Sequence, residues 1–229
     1  MRLALLSDIH GNSAALKMAL NSALKAGCEL FLVSGDSVGY YYDANTVLDL
    51  LFKLEFRIVR GNHEVMLQNL RGKPELSSEI KEKYGSALEK SILELSDEKL
   101  DFLCNAPDSL TIDFDSFSLN LSHGSPWCID TYIYPDSDIS VWQKFLNHSE
   151  DVFVIGNTHH QLIKRFEGKL IINPGSVGQS RTNKGMAQWA EMDSANLDVT
   201  FKSMAYDTSD LIQKCINFDP DLDLLRKHL

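Results

Sequence analysis

The stretch LALLSDIHGNSAALKMALNSALKAGCELFLVSGD, residues 3–36, sets the fold class. Leu3–Leu6 is a short apolar run that Asp8 and His10 end at once, so it reads as a strand. From Ser13 to Lys25 the residues Leu16, Ala19, Leu20, Ala23 and Leu24 recur at helical spacing, and Gly27 stops the pattern. Leu30–Val33 is a second apolar run of strand length. Thr46–Leu54 reads as a short helix and Phe56–Val59 as a third strand. An order of β-α-β-α-β predicts a largely parallel sheet with helices packed on it.

Outward from this stretch the pattern becomes helical and then strand-rich. Ser78–Leu95 and Asp97–Cys104 read as helices, the second with Ser96 as N-cap and acids in its first turn. After Pro107, Leu110–Phe114 and Phe117–Leu121 flank Asp115 and Ser116 as a hairpin. Asp138–Leu146 reads as helix and Val152–Ile155 as a buried strand. Two further hairpins follow, 162–166 with 170–172 and 186–192 with 197–204, and a helical tail starts at Ser209. The expectation is an α/β core in the first half and a strand-rich second half, two sheets packed together. The 229 residues show no repeats or linkers and are expected to form a single domain, 1–229.

Hydrophobic residues make up 44% and charged residues 24%, enough apolar surface for a sizeable core. The net charge of -10 argues against broad binding to nucleic-acid backbones. It leaves a phosphate-bearing substrate open, because bound divalent cations reverse the local sign of a site. Cys28, Cys104, Cys128 and Cys215 form no CxxC pair and read as reduced thiols. The chain carries neither a signal-peptide pattern nor an apolar run long enough to span a bilayer, so a cytoplasmic location and no membrane partner are expected.

Five polar clusters each follow directly on an apolar strand. They are Asp8 with His10, Gly35-Asp36, Gly61-Asn62-His63-Glu64, His123-Gly124, and Gly156-Asn157-Thr158-His159. Ligands of α/β sheets bind beyond the carboxyl ends of the strands, so these groups can meet at one point. Carboxylate and amide oxygens mixed with imidazole nitrogens suit borderline metals such as manganese, iron, nickel or zinc. Absence of cysteine among the donors argues against a closed structural zinc site. Asp8 and His10, two apart on a strand end, are expected to share a face and chelate one ion. Two ions spaced ~3.5–4 Å apart form the usual clamp for displacement at phosphorus. Taken singly, each cluster reads as an ordinary turn or helix start; all five at strand ends do not.

The ordered set resembles the signature of the calcineurin-like metallophosphoesterases, over residues 3 to about 181. Residues 35–40 and 173–179 resemble the small YfcE-type phosphodiesterase branch. The resemblance implies a four-layer α-β-β-α sandwich, an α/β fold with two central mixed sheets flanked by helices. It implies that Asp8, His10 and His159 hold a first metal ion, that Asp36 bridges, and that Asn62 and His123 hold a second. It implies two divalent transition-metal ions, manganese, iron, nickel or zinc, and a hydroxide between them that attacks phosphorus. His63 then protonates the leaving group or stabilises charge on the phosphoryl oxygens. Glu64 is expected to support the turn, the 173–178 loop to cap the site edge, and Arg181 to lie on the surface.

This sequence departs from the family pattern at Asn157, where a histidine usually binds the second metal. An amide oxygen is a weaker donor than imidazole. Direct ligation by Asn157, ligation through water and a loosely held second ion all stay open. His160 is expected to point away from His159. The substrate is expected to be a small phosphate ester or nucleotide. The alternative function is a catalytically weakened scaffold that binds protein, as the retromer subunit of similar fold does. A hydrolase of dinucleoside polyphosphates is a third reading, which no base-recognition feature selects. Tyr40, Tyr41, Tyr42 and Trp127 are expected to pack rather than to stack on a base.

Overall fold

The computed structural model describes residues 1–229. Strands β1 (Arg2–Leu6), β2 (Leu30–Ser34) and β3 (Phe56–Val59) run parallel, joined by α1 (Ser13–Lys25) and α2 (Ala44–Leu51). Helix α1 begins where Asn12 Oδ1 accepts the Ala15 N–H at 3.0 Å, which satisfies one orphan donor of the first turn. Leu16, Ala19, Leu20 and Ala23 are buried as the spacing predicts, together with Ala15, whereas Leu24 is exposed.

Helices α3 (Asn62–Gly72), α4 (Ser77–Tyr84), α5 (Ala87–Glu94) and α6 (Asp97–Cys104) follow. The single helix expected over 78–95 is two helices. Gly85 breaks it at φ +83°, a left-handed conformation that glycine adopts cheaply. The next residue is held from outside the helix: Ser86 N–H donates to the Asp219 carboxylate at 3.0 Å. A tertiary contact 133 residues away in sequence thus ends the helix, and local periodicity has no access to it.

The second sheet contains β4 (Ser109–Asp113), β5 (Ser118–Ser122), β6 (Val152–Val154), β7 (Gln161–Phe166) and β8 (Lys169–Pro174), in the order β4-β5-β6-β8-β7. Helix α7 (Ile139–Lys144), with Asp138 accepting the Ser140 N–H, packs on its outer side. The last hairpin, β9 (Met186–Asp193) with β10 (Asp198–Ala205), crosses back to the first sheet and gives the order β10-β9-β1-β2-β3. The first sheet therefore takes its strands from both ends of the chain. The reason lies in β1, whose Leu3, Ala4, Leu5 and Leu6 are all fully buried. A strand buried on both faces needs neighbours on both edges, and β9 supplies the second through Leu3↔Met192 and Leu5↔Ala190.

Alternation along β1 separates two cores. Leu3 and Leu5 face Leu119, Leu121, Val152 and Ile172 of the other sheet. Ala4 and Leu6 face Leu16 and Ala19 of α1. On the far side of the second sheet, Phe153 and Ile171 meet Trp142 and Phe145 at α7. The result is an α-β-β-α sandwich with two mixed five-stranded sheets at its centre. Each fully buried leucine contributes about 2 kcal/mol of transfer free energy, so the inter-sheet layer fixes which strand ends lie together. The tail ends in α8 (Ser209–Phe218) and a short 3-10 turn. No helix is long and apolar enough to cross a membrane. Cys28, Cys104 and Cys215 are buried, Cys128 is exposed, and all four are free.

Candidate metal centre

The loops after β1, β2, β3, β5 and β6 meet at one edge of the sandwich. Backbone bonds lace the first two together: Asp8 N–H to Gly35 O at 3.1 Å, His10 N–H to Asp36 O at 2.8 Å, and Gly11 N–H to Ser37 O at 2.9 Å. Between the sheets, the Ser34 hydroxyl donates to the Ser122 carbonyl. The 173–178 loop closes behind β1, where Gly178 N–H and the Ser176 hydroxyl both donate to Asp8 O, at 3.0 and 2.8 Å.

Asp8 and His10 do not share the face of an extended strand. The strand ends at Leu6, and both residues are left-handed, with φ of +54° and +51°. Asp36, Asn157 and His159 are left-handed too, at +53°, +67° and +60°. Such strain in non-glycine residues costs about 1–3 kcal/mol each and survives only where the surroundings over-determine it. The backbone bonds described above supply that constraint at Asp8, His10 and Asp36. Glycine is needed at the crowded corners: a Cβ at Gly39 would collide with His63 Nδ1, and one at Gly61 with Asp36 Oδ1.

The side chains converge. His159 Nε2 lies 3.3 Å from Asp8 Oδ1, and His10 Nε2 lies 3.8 Å from the same oxygen. Asp36 Oδ2 has His123 Nε2 at 3.3 Å, His10 Nε2 at 3.8 Å and His63 Nε2 at 4.0 Å, so it sits among three imidazoles. Asn62 Oδ1 lies 3.0 Å from His123 Nε2. Three overlapping groups have their donor atoms within 4.8 Å of one another: Asp8, His10 and His159; His10, Asp36 and His63; Asp8, Asp36 and His123. All of these residues are buried.

The backbone decides which nitrogen of each ring is free. His10 Nδ1 faces Val38 O at 3.2 Å, His159 Nδ1 faces Gln179 O at 2.7 Å, and His123 Nδ1 faces Ser34 O at 2.7 Å. A carbonyl oxygen only accepts, so each Nδ1 carries a proton, and at His10 and His159 the neutral Nε2 then presents a lone pair. His10 Nε2 and His159 Nε2 then point lone pairs at each other across 3.0 Å, beside an Asp8 Oδ1 that has no hydrogen-bond partner. His123 Nε2 likewise faces only acceptor oxygens. An arrangement of lone pairs and carboxylates with nothing to donate between them fits divalent cations, and carbonyl-oriented imidazoles are the usual outer support of metal ligands.

The electrostatics agree. Burial pushes the His10 ring well below its ordinary value, and His63 adds to that. Burial alone would raise Asp8 and Asp36, but His159 beside the first and His123 and His63 beside the second hold both carboxyls below the usual range. At His123 burial is outweighed by Asp36 and Asp8, which push it up to about 10. Those two carboxylates demand a positive charge at His123 Nε2, which a proton or a metal ion can meet.

His63 is packed rather than coordinated by backbone. Its N–H donates to Asp36 Oδ1 at 2.8 Å, and its ring lies 4.7 Å from His10, 4.8 Å from Tyr40 and 5.2 Å from Tyr84. Its Nδ1 is buried without a partner, and burial lowers its pKa. Gly61 occupies the N-cap of α3. Glu64 ties that turn to the β2 loop, accepting the N–H groups of Gly61, Asp36, Ser37 and Val38 at 2.7, 2.9, 2.7 and 3.3 Å. Burial and the Asp36 charge push its carboxyl up to about 7.

Asn157 stands at the edge of the cluster. Its N–H donates to Asp8 Oδ2 at 3.2 Å and its Nδ2 to Thr131 O at 3.2 Å. His160 turns away, with Nδ1 2.6 Å from Thr158 O. Tyr41 and Tyr42 pack against the tail, bonding Leu225 O and Asp219 Oδ2 at 3.0 and 2.7 Å. Trp127 packs on Phe145. Tyr40 is the exception, because its ring borders both His10 and His63. Sequence reasoning missed Tyr84 beside His63 and the three orienting carbonyls. A carbonyl carries no sequence signal, and Tyr84 ends a helix far from any of the five clusters.

A sequence model of the Calcineurin-like phosphoesterase superfamily domain matches residues 1–194. An uncharacterized protein of Methanocaldococcus jannaschii, MJ0912, is 28% identical over 235 residues, covering 93% of this chain and 91% of its own length. The crystal structure of hypothetical protein PH1004 from Pyrococcus horikoshii superposes with a TM-score of 0.84 at 20% identity, over 99% of this chain and 96% of that one. A metallophosphoesterase from Sphaerobacter thermophilus superposes with a TM-score of 0.79 at 24% identity, over 100% and 98%. At those identities the two structures establish the fold.

Proposed function

This chain belongs to the calcineurin-like phosphoesterase superfamily, and from that premise we propose that it is a phosphodiesterase working with two divalent transition-metal ions. In this reading Asp8, His10 and His159 hold one ion and Asn62, His123 and Asn157 the other, with Asp36 shared. Manganese, iron, nickel and zinc all suit this donor set. The observation that carries the reading is the pair of Nε2 lone pairs facing each other at 3.0 Å between His10 and His159. Cations held there supply Lewis acidity toward phosphoryl oxygens and toward water. The reading treats residues 1–229 as one domain.

The chain's own residues do the rest. Val38, Gln179 and Ser34 carbonyls lock three imidazoles into one tautomer, so no reorganisation is needed when substrate arrives. His63, free of any backbone tie at Nδ1 and kept dry by Tyr40 and Tyr84, donates the proton that the leaving oxygen needs. Water adds its oxygen to phosphorus and releases a proton, the phosphorus–oxygen bond to the leaving group breaks with its electron pair on oxygen, that oxygen takes the proton from His63, and the proton released by water restores His63.

The test is to purify the protein without chelator, measure bound metals, and assay an aryl phosphodiester and an aryl phosphomonoester with added manganese. Metal-dependent turnover is expected, faster on the diester. His63→Ala is expected to lower kcat by about 10²-fold while metal content stays unchanged. Absence of both metal and turnover would leave the scaffold reading standing.

Asn157 Nδ2 donates to Thr131 O, which leaves Oδ1 as its metal donor, and an amide oxygen holds a second ion more slackly than an imidazole would. Asn157→His is expected to lower the manganese concentration for half-maximal activity by about tenfold. An unchanged metal titration would show that position 157 does not act on the second ion.

A further inference from the structure

The C-terminal segment lies beyond the residues that the family model matches, 1–194, yet it is packed into the wall of the site. Leu211 and Cys215 of α8 and Leu225 of the turn after it are buried in one cluster with Tyr40, Tyr41 and Tyr42. Asp219 stands between α8 and that turn and is 7% exposed. Its carboxylate is held by neutral donors: the Tyr42 hydroxyl at 2.7 Å, the Ser86 N–H at 3.0 Å and the Ser86 hydroxyl at 2.8 Å. A buried carboxylate is costly unless such donors stay aimed at it, so the three groups and Asp219 fix one another.

The two partners belong to the two segments that wall His63. Tyr42 lies two residues beyond Tyr40, and Ser86 two beyond Tyr84. The rings of Tyr40 and Tyr84 lie 4.8 and 5.2 Å from that of His63, and 5.8 Å from each other. Gly85 lets the joint close, because a Cβ there would come within 3.0 Å of Asp219 Oδ2 and 3.1 Å of Leu225 Cδ1. Tyr41 ties the same joint from the other side, its hydroxyl donating to Leu225 O at 3.0 Å. One carboxylate thus joins the loop after β2 to the junction of α4 and α5, and each of these carries one wall of the pocket around His63.

We propose that Asp219 is a positioning residue for His63: by clamping Tyr42 and Ser86 together it fixes Tyr40 and Tyr84, which hold the His63 ring in line with the leaving oxygen. The ring needs such walls because its Nδ1 is buried without a partner, whereas His10, His123 and His159 are each aimed by a carbonyl. The proposal rests on the reading of His63 as proton donor given above, and adds what aims it. A misplacement of about 1 Å by a distant residue is enough to lower a rate strongly.

Two diesters with manganese present test it. Methyl phenyl phosphate has a poor leaving oxygen that needs the proton of His63, and methyl p-nitrophenyl phosphate has one that departs as an anion with less help. Asp219→Asn keeps the side-chain volume but turns an amide donor toward the donors of Tyr42 and Ser86. It is expected to lower kcat for the phenyl ester about tenfold more than for the p-nitrophenyl ester, with bound metal unchanged. In a His63→Ala background the same substitution is expected to lower both esters alike. Tyr42→Phe removes one donor of the clamp and is expected to give the same bias at about threefold, and it decides the matter if Asp219→Asn does not fold. A second readout needs no turnover. In the zinc-loaded full chain the Tyr40 and Tyr84 rings shift the His63 ring protons, and the clamp variants are expected to move these resonances toward free-histidine values while those of His148, packed on Trp127 and Phe153, stay. Equal loss on both esters, a bias that persists without His63, or unmoved His63 resonances overturns the positioning role and leaves the phosphodiesterase reading in place. If the wild type turns over neither ester with any metal, the phosphodiesterase reading itself falls, and the positioning role with it.

Discussion

Asp36→Asn is expected to lower kcat/KM by about 10³-fold and to reduce bound metal below one ion per chain. Asp36 Oδ2 lies within 4.0 Å of the Nε2 atoms of His123, His10 and His63, the only carboxylate oxygen with three imidazoles so close. Loss of its charge removes the shared anionic ligand of the proposed pair. Several kcal/mol of transition-state stabilisation depend on such ions, and about 4 kcal/mol corresponds to 10³ in rate. Asparagine keeps Oδ1, which accepts the His63 N–H at 2.8 Å, so the start of α3 stays anchored. The variant separates charge from architecture in that way. Metal content by emission spectroscopy and aryl diester kinetics are the measurements. Near-normal turnover with full metal content would remove Asp36 from the centre of the site.

Much of the fold was legible because it is written in periodicity. The expected and observed bounds of α1, β3 and α6 coincide, and each lies where apolar spacing and a cap or glycine agree. What stayed hidden was non-local. The break at Gly85 depends on Asp219, and the return of β9 and β10 to the first sheet depends on the second open edge of β1. Neither contact has a local signature. The same division holds at the site. The residue types after each strand pointed to one cluster, but their conformations did not follow from the strand picture: Asp8, His10, Asp36 and His159 converge through left-handed backbone, not through a shared strand face. The carbonyls that set the imidazole tautomers come from Val38, Gln179 and Ser34, residues whose side chains give no reason to notice them.

Glu64 shows how far stability and site are one problem, and Glu64→Ala is expected to destabilise the protein by at least about 4 kcal/mol. Its carboxylate is fully buried and accepts four backbone N–H groups, from Gly61, Asp36, Ser37 and Val38. Each buried donor left without an acceptor costs about 1–3 kcal/mol, and loop relaxation recovers only part of the sum. For a chain of this size 1 kcal/mol moves Tm by about 2–4 °C, so a fall of about 8–16 °C is expected. Glu64→Gln keeps the volume but turns an amide donor toward N–H donors, so about half that loss is expected. Because the four N–H groups belong to the loops after β2 and β3, the geometry around Asp36 and His63 loosens as well. Manganese affinity of the folded Glu64→Gln protein is therefore expected to fall about tenfold, although Glu64 is not proposed to touch the metal. Thermal unfolding and metal titration on the same sample read both effects. A Tm within about 2 °C of the parent for Glu64→Ala would mean that the two loops hold their conformation without this carboxylate, and that the strained ligands are fixed by something else.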